Sequence, residues 1–213
     1  MNITGAIFDF DGTLFDSMHV WKGIRHKFFE NLGLELTSED EEAFKGLFLR
    51  ETFLLAIERF DLKQSYEELL SMLFDYIKER YISETEPKND IIEFLEKLKS
   101  KGVKMGIATA TGEPALIAVL EKYGILHYFS AIYSTYTVGA SKRESKVYDV
   151  VLEEIGTDKN TTWVFEDALY AAKTAKANGY NVVGIFDKSE PNQDELKAIA
   201  DIYIHNYEEL ELL

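Results

Sequence analysis

Asp9 and Asp11 flank Phe10 at the point where the apolar run of GAIFDFDGTLFDS gives out. If the extended form persists that far, alternation puts Ile7, Asp9 and Asp11 on one face and Phe8 and Phe10 on the other. The two acids then lie roughly 6–7 Å apart at Cα and aim the same way. Carboxylates that close repel unless a cation or a shared proton stands between them. Gly12 then lets the backbone turn sharply.

Other apolar runs end in similar chemistry. IATATG places Thr109 after a second run, just ahead of a helix whose backbone N–H groups could hold a phosphate. FEDA places Glu166 and Asp167 after another. Each feature has a plainer reading taken singly: solvated loop acids, a threonine cap, or an acidic N-cap that complements a helix dipole. Taken together, Asp9, Asp11 and Asp167 make an all-oxygen ligand set suited to Mg²⁺. Phosphoryl oxygens also ask for a positive side chain. GASKRESKVYDVV offers Lys142, Arg143 and Lys146, of which one is expected to point at the site and the others to be solvated.

These residues need elements to hold them. Short runs rich in β-branched and aromatic residues read as strands over 3–10, 103–110, 130–135, 161–167, 180–187 and 200–206. Helical patterns lie between them and stop at Gly102, Gly124, Gly156 and Gly179. Strand–helix alternation with near-continuous apolar strands argues for a parallel sheet covered by helices on both faces. In such a sheet, ligands bind beyond the carboxyl ends of the strands, where these acids lie. Residues 17 to about 85 break the rhythm with three long helical patterns and no strand. Ser38 and Ser65, each with a glutamate three residues on, read as capping boxes. The fold class is therefore α/β, a Rossmann-like parallel sheet core with an inserted all-helical module. Residues 1–15 and 86–213 are expected to form the core and 16–85 the insert.

Composition narrows the partners. The chain has 213 residues, no cysteine and a net charge of −15. Thiolate metal sites and cysteine nucleophiles are thus excluded, and the absence of cysteine fits a reducing cytoplasm. No basic block offers itself to a nucleic-acid backbone. MNITGAIFDF lacks a basic n-region, so neither a signal peptide nor a membrane span is expected. The expectation is a cytoplasmic protein, a monomer or weak dimer, whose partner is a small molecule.

The motifs resemble those of the haloacid-dehalogenase-like superfamily: an apolar run into DxDGTL, a hydroxyl after the next strand, a lysine before a helix, and ED after a later strand. The helical insert resembles the C1 cap of the subgroup with phosphoglycolate phosphatase and β-phosphoglucomutase. VFEDALYAAKTAKANGY is similar to that subgroup's VFEDSxxGIxAAxxAGM, with Ala168 and Tyr170 as departures. The resemblance implies a Mg²⁺-dependent phosphatase of a small phosphorylated metabolite. Asp9 would be the nucleophile that becomes an aspartyl-phosphate, and Asp11 the general acid and base. Asp9 and Asp167 would give Mg²⁺ carboxylates, Asp11 its backbone carbonyl, and Glu166 support beside the metal. Thr109 would hydrogen-bond the phosphoryl group. Matching the family's KPxPDxY at Tyr148 selects Lys142, with both prolines replaced, and leaves Lys146 in reserve.

A mutase that moves phosphate within a sugar is the alternative inside the subgroup, and a receiver-type phospho-aspartate domain the alternative outside it. The cap would read the rest of the substrate through Asp16, His19, Trp21, Lys45, Gly46 and Arg50. FKGLFLRE is similar to the subgroup's cap loop KGVSRE with an extra residue. Phe28, Phe29, Leu54, Leu55 and Leu73 are expected to pack in the cap core.

Overall fold

The computed structural model describes residues 2–47 and 49–210. The strands are β1 (Gly5–Phe8), β2 (Phe15–Asp16), β3 (Glu86–Pro87), β4 (Lys104–Thr109), β5 (Phe129–Ser134), β6 (Thr162–Glu166), β7 (Asn181–Ile185) and β8 (Ile202–Ile204). Six form one parallel sheet in the order β5-β4-β1-β6-β7-β8. Strand β1 is central, and Phe8 pairs in register with Ile107 on one side and Phe165 on the other.

Alternation along these strands sends residues to two cores. Phe8, Ile107 and Phe165 pack with Phe94 and Leu98 of α6 (Ile91–Ser100) and Leu116 of α7 (Glu113–Lys122). Ile7, Ala108 and Val164 pack on the other face with Val147 and Val151 of α9 (Lys146–Ile155). A one-turn helix, α8 (Thr135–Val138), follows β5. Helices α10 (Leu169–Ala177) and α11 (Gln193–Ile199) complete the cover. Burying both faces is what makes these strands read as continuous apolar runs. Every strand expected from the sequence is present; β5 has the expected length one residue earlier, and the others are shorter by two residues or more.

Between β1 and β4 the chain makes a helical excursion. Its helices are α1 (Met18–Trp21), α2 (Ile24–Asn31), α3 (Ser38–Phe44), α4 (Leu49–Arg59) and α5 (Tyr66–Glu84). Strands β2 and β3 pair antiparallel, Phe15 with Pro87 and Asp16 with Glu86, so the chain leaves and re-enters the sheet side by side. The insert has its own aromatic centre: Phe28, Phe29, Phe44 and Phe53 are buried, and the rings of Phe29 and Phe44 stack 5.5 Å apart. Helix α5 lies along α7 and ties the insert to the sheet.

Three local expectations are corrected. The first helical pattern is two helices, because the chain breaks between Trp21 and Ile24. The capping box of α3 is built one residue earlier than Ser38: Thr37 Oγ1 accepts the Asp40 N–H at 3.2 Å, and Asp40 Oδ2 accepts the Thr37 N–H at 2.8 Å. Glu41, the residue expected to complete Ser38's box, instead accepts from Arg25 and pairs with His26. Ser65 does cap α5, with Glu68 returning the bond. Leu54 is 48% exposed rather than core, because α4 turns Thr52, Phe53 and Ala56 inward. Phe28, Phe29 and Leu73 are buried, and Leu55 is partly buried against the same core. Among the described residues no helix is long and apolar enough to cross a membrane.

Candidate active site

The register of the three central strands brings their carboxyl ends level. The Asp9 N–H donates to the Phe165 carbonyl at 2.9 Å, which fixes Asp9 at the edge just past β1. Glu166 closes β6, and Asp167 follows it. One carboxylate oxygen from each of Asp9, Glu166 and Asp167 lies within 4.8 Å of the other two. All three residues are buried.

Lys142 reaches into this cluster from the loop before α9 and is itself only 3% exposed. Its Nζ donates to Asp9 Oδ1 and, at 2.8 Å, to Glu166 Oε2. The Tyr148 hydroxyl donates to the same Glu166 oxygen at 3.2 Å. Of the three basic candidates, the structure brings Lys142 alone to the acids. Lys146 donates to the Val138 carbonyl at 3.0 Å, and the Arg143 guanidinium lies over the Tyr170 ring, 5.1 Å from its centroid.

Three carboxylates around one ammonium are electrostatically incomplete. Burial, then the charges of Glu166 and Asp11, push Asp9 up to about 8 against the pull of Lys142. Burial, and then Asp9 and Glu166, hold Asp167 well above the ordinary carboxylate range. Burial works against the Lys142 ammonium, but the attraction of Asp9 and Glu166 outweighs it, so Lys142 titrates well above its ordinary value. A hard divalent cation among these oxygens would relieve the repulsion. The donor set, oxygen only and clustered, fits Mg²⁺.

Asp11 lines the same pocket but is not one of the three clustered carboxylates. The chain stops being extended at Phe8 and coils: the Leu14 and Phe15 N–H groups both donate to the Phe10 carbonyl, at 3.0 and 3.1 Å. The strand alternation that would aim both carboxylates at one cation therefore ends before Asp11. The Asp11 carboxylate instead accepts from Ser17 Oγ at 2.6 Å, from Thr111 Oγ1 at 2.5 Å and from the Tyr81 hydroxyl. Tyr81 comes from α5, so one of the three donors is carried by a helix of the insert. The coil also packs on Asp167. Gly12 has a φ of 73°, and a Cβ there would lie 2.3 Å from Asp167 Oδ2. Thr13 Oγ1 donates to Asp167 Oδ1 at 3.2 Å.

These groups open onto a pocket of about 360 Å³ with Asp9, Asp11, Lys142, Glu166 and Asp167 in its wall. Thr111 lines it, whereas Thr109 sits fully buried behind, its Oγ1 accepting the Thr111 N–H at 3.0 Å. Trp21 lines the pocket from the insert. The other substrate candidates of the insert lie elsewhere. Asp16 faces Lys188 at 3.5 Å, His19 Nε2 meets the Glu84 carbonyl at 3.1 Å, and Lys45 pairs with Glu42 at 3.1 Å. The Arg50 guanidinium lies 5.4 Å from the Tyr66 ring centroid. None of these four is in the pocket wall. Sequence reading missed Ser17, Tyr81, Thr111 and Tyr148 as site residues. Thr111 carries a signal, a second hydroxyl two positions after Thr109. Tyr81 carries none, because its contact with Asp11 spans 70 positions and exists only once the insert packs.

Comparison with known proteins gives a consistent picture. The family model described as haloacid dehalogenase-like hydrolase matches residues 6–185. A phosphorylated carbohydrates phosphatase of Thermotoga maritima is 26% identical over 210 residues, covering 98% of this chain and 97% of its own. A phosphoglycolate phosphatase of Agrobacterium fabrum is 26% identical over 190 residues, covering 84% and 79%. Among solved structures, CbbY of Rhodobacter sphaeroides in complex with phosphate aligns with a TM-score of 0.78 at 18% identity, covering 98% of this chain and 96% of that one.

Proposed function

This chain belongs to the haloacid dehalogenase-like hydrolase family, and on that premise we propose that it is a Mg²⁺-dependent phosphatase of a small phosphorylated metabolite. The observation that carries the reading is the buried cluster of Asp9, Glu166 and Asp167 held around the Lys142 ammonium. Curated relatives named as phosphatases support the same reaction class.

Asp9 is the nucleophile. Its carboxylate oxygen attacks phosphorus, the bond from phosphorus to the ester oxygen breaks, and the alcohol leaves with a proton from Asp11. An acyl-phosphate on Asp9 remains. Water then attacks phosphorus while Asp11 takes its proton, and phosphate leaves as the Asp9 carboxylate is restored. Phosphoryl transfer asks mainly for positioning and neutralised charge. Lys142 provides both at Asp9, and the turn from Thr109 to Thr111 meets the phosphoryl oxygens. Ser17, Thr111 and Tyr81 fix the orientation of the Asp11 carboxyl. The metal would be held by the Asp9 and Asp167 carboxylates and the Asp11 backbone carbonyl, with Glu166 beside it. When bound, Mg²⁺ supplies neutralisation of the carboxylate and phosphoryl charge.

The test is a panel of phosphorylated metabolites with Mg²⁺, read both as free phosphate and as conversion between sugar-phosphate isomers. Release of phosphate that is lost on chelation is the expected result. Isomer conversion without release would replace the phosphatase with a mutase.

A further inference from the structure

Resting on the phosphatase reading, we propose that the substrate carries an aromatic or branched apolar body rather than a polyol, and that this body occupies a second cavity between the insert and the sheet. That cavity holds about 510 Å³. It shares Trp21, Thr111 and Tyr136 with the pocket that contains Asp9, so the two spaces adjoin across those side chains. A phosphate seated at Asp9 therefore has this cavity beside it to enclose the rest of an ester. The volume is of the size that holds a small-molecule ligand.

The walls decide what fits. Leu73, Phe74 and Ile77 of α5 face the cavity with Ile24 of α2 and Ala115 of α7. The Phe74 ring stands edge-on to Tyr136, with centroids 5.7 Å apart, at the junction of the two spaces. Two polar side chains near the junction, Thr111 and Glu113, already have partners. The Thr111 hydroxyl donates to Asp11 at 2.5 Å. Glu113 Oε1 accepts the Ser134 N–H at 2.9 Å and the Thr137 hydroxyl. Of the polar groups on α5, Ser71 and Asp75 are exposed and Lys78 is half-buried. A sugar pressed against the Leu73, Phe74 and Ile77 side chains would bury hydroxyls against carbon, each at a cost on the order of tenfold in binding. An apolar body meets no such penalty and gains about fourfold for each methylene it buries.

The experiment is a ladder of straight-chain alkyl phosphates, with phenyl phosphate and a hexose phosphate alongside, measured as kcat/KM for phosphate release. The expected result is a rise of severalfold per added methylene until the cavity is filled, and a phenyl ester favoured over the hexose ester. Phe74→Gln is expected to flatten the ladder, lowering the ratio of the longest ester to methyl phosphate. A flat ladder in the wild-type protein, or a preference for the hexose ester, overturns the inference and leaves the hydrolase reading standing. Release from no ester at all, methyl phosphate included, overturns the reading on which the inference rests.

Discussion

Replacing Gly12 by alanine tests whether the coil after β1 sets the position of Asp167. The substitution does two separable things. It places a side chain at a φ of 73°, which costs roughly 1–2 kcal/mol for an L residue. It also drives a Cβ to 2.3 Å from Asp167 Oδ2 and 2.7 Å from its Cγ, closer than real contacts allow. Asp167 has little room to yield, because it is 3% exposed and tied to Thr13. Its carboxylate must leave the cluster it forms with Asp9 and Glu166. Disturbing the groups that orient a metal ligand weakens affinity about 10–100-fold.

The assay is a Mg²⁺ titration followed by thermal unfolding. Gly33→Ala is the control, since Gly33 has a φ of 78° and nothing within 4 Å of its Cβ position. Both variants are expected to lose about 2–8 °C in Tm without metal. Only Gly12→Ala is expected to need about tenfold or more Mg²⁺ to recover. A Mg²⁺ midpoint for Gly12→Ala that matches the control would refute the packing argument.

Two further outcomes follow from the site. Asp9 is pushed up to about 8 in the folded chain, above the 3.8 of an ordinary aspartate. Between those values the folded state holds a proton that the unfolded state lacks. Without metal, stability contributed by this group therefore falls as pH rises through the window, by about 1.4 kcal/mol per pH unit at most. Urea midpoints measured under chelation should show that decline, shared with Asp167, whose carboxyl is also raised by burial, and Asp9→Asn should make it shallower; an identical slope in the variant would contradict the assignment. Tyr81→Phe deletes a donor to Asp11 while its ring still stacks on Phe10, with centroids 5.9 Å apart. The expected result is a loss of about tenfold in kcat with little change in Tm, and an unchanged kcat would remove Tyr81 from the positioning of Asp11.

The sheet was legible because burial on both faces forces β-branched and aromatic runs, such as VKMGIATA, which contains Thr109, and TTWVFED through Asp167. Those runs also predict that their carboxyl ends coincide, which is how residues as distant as Asp9 and Glu166 come together. Lys142 was selected by alignment of a motif at Tyr148, and the geometry favours the same residue over Lys146. The insert was legible as helices but not as surfaces. Asp16, His19, Lys45 and Arg50 have the right chemistry for a substrate contact, yet partners within the chain engage them away from the pocket. Leu54 was misplaced for a related reason: an apolar residue in a helical pattern does not declare which face is inward. Asp11 shows the limit of periodicity, since a two-residue alternation holds only while the strand does, and β1 ends at Phe8.

The most direct measurement is Mg²⁺-dependent hydrolysis of an aryl phosphate by Asp9→Asn. The amide keeps the shape of the side chain beside Lys142 but cannot serve as the attacking carboxylate. With circular dichroism unchanged, the rate should fall to that of the reaction without enzyme. Hydrolysis persisting in the folded variant at anything near the wild-type rate would show that phosphorus is not attacked from residue 9.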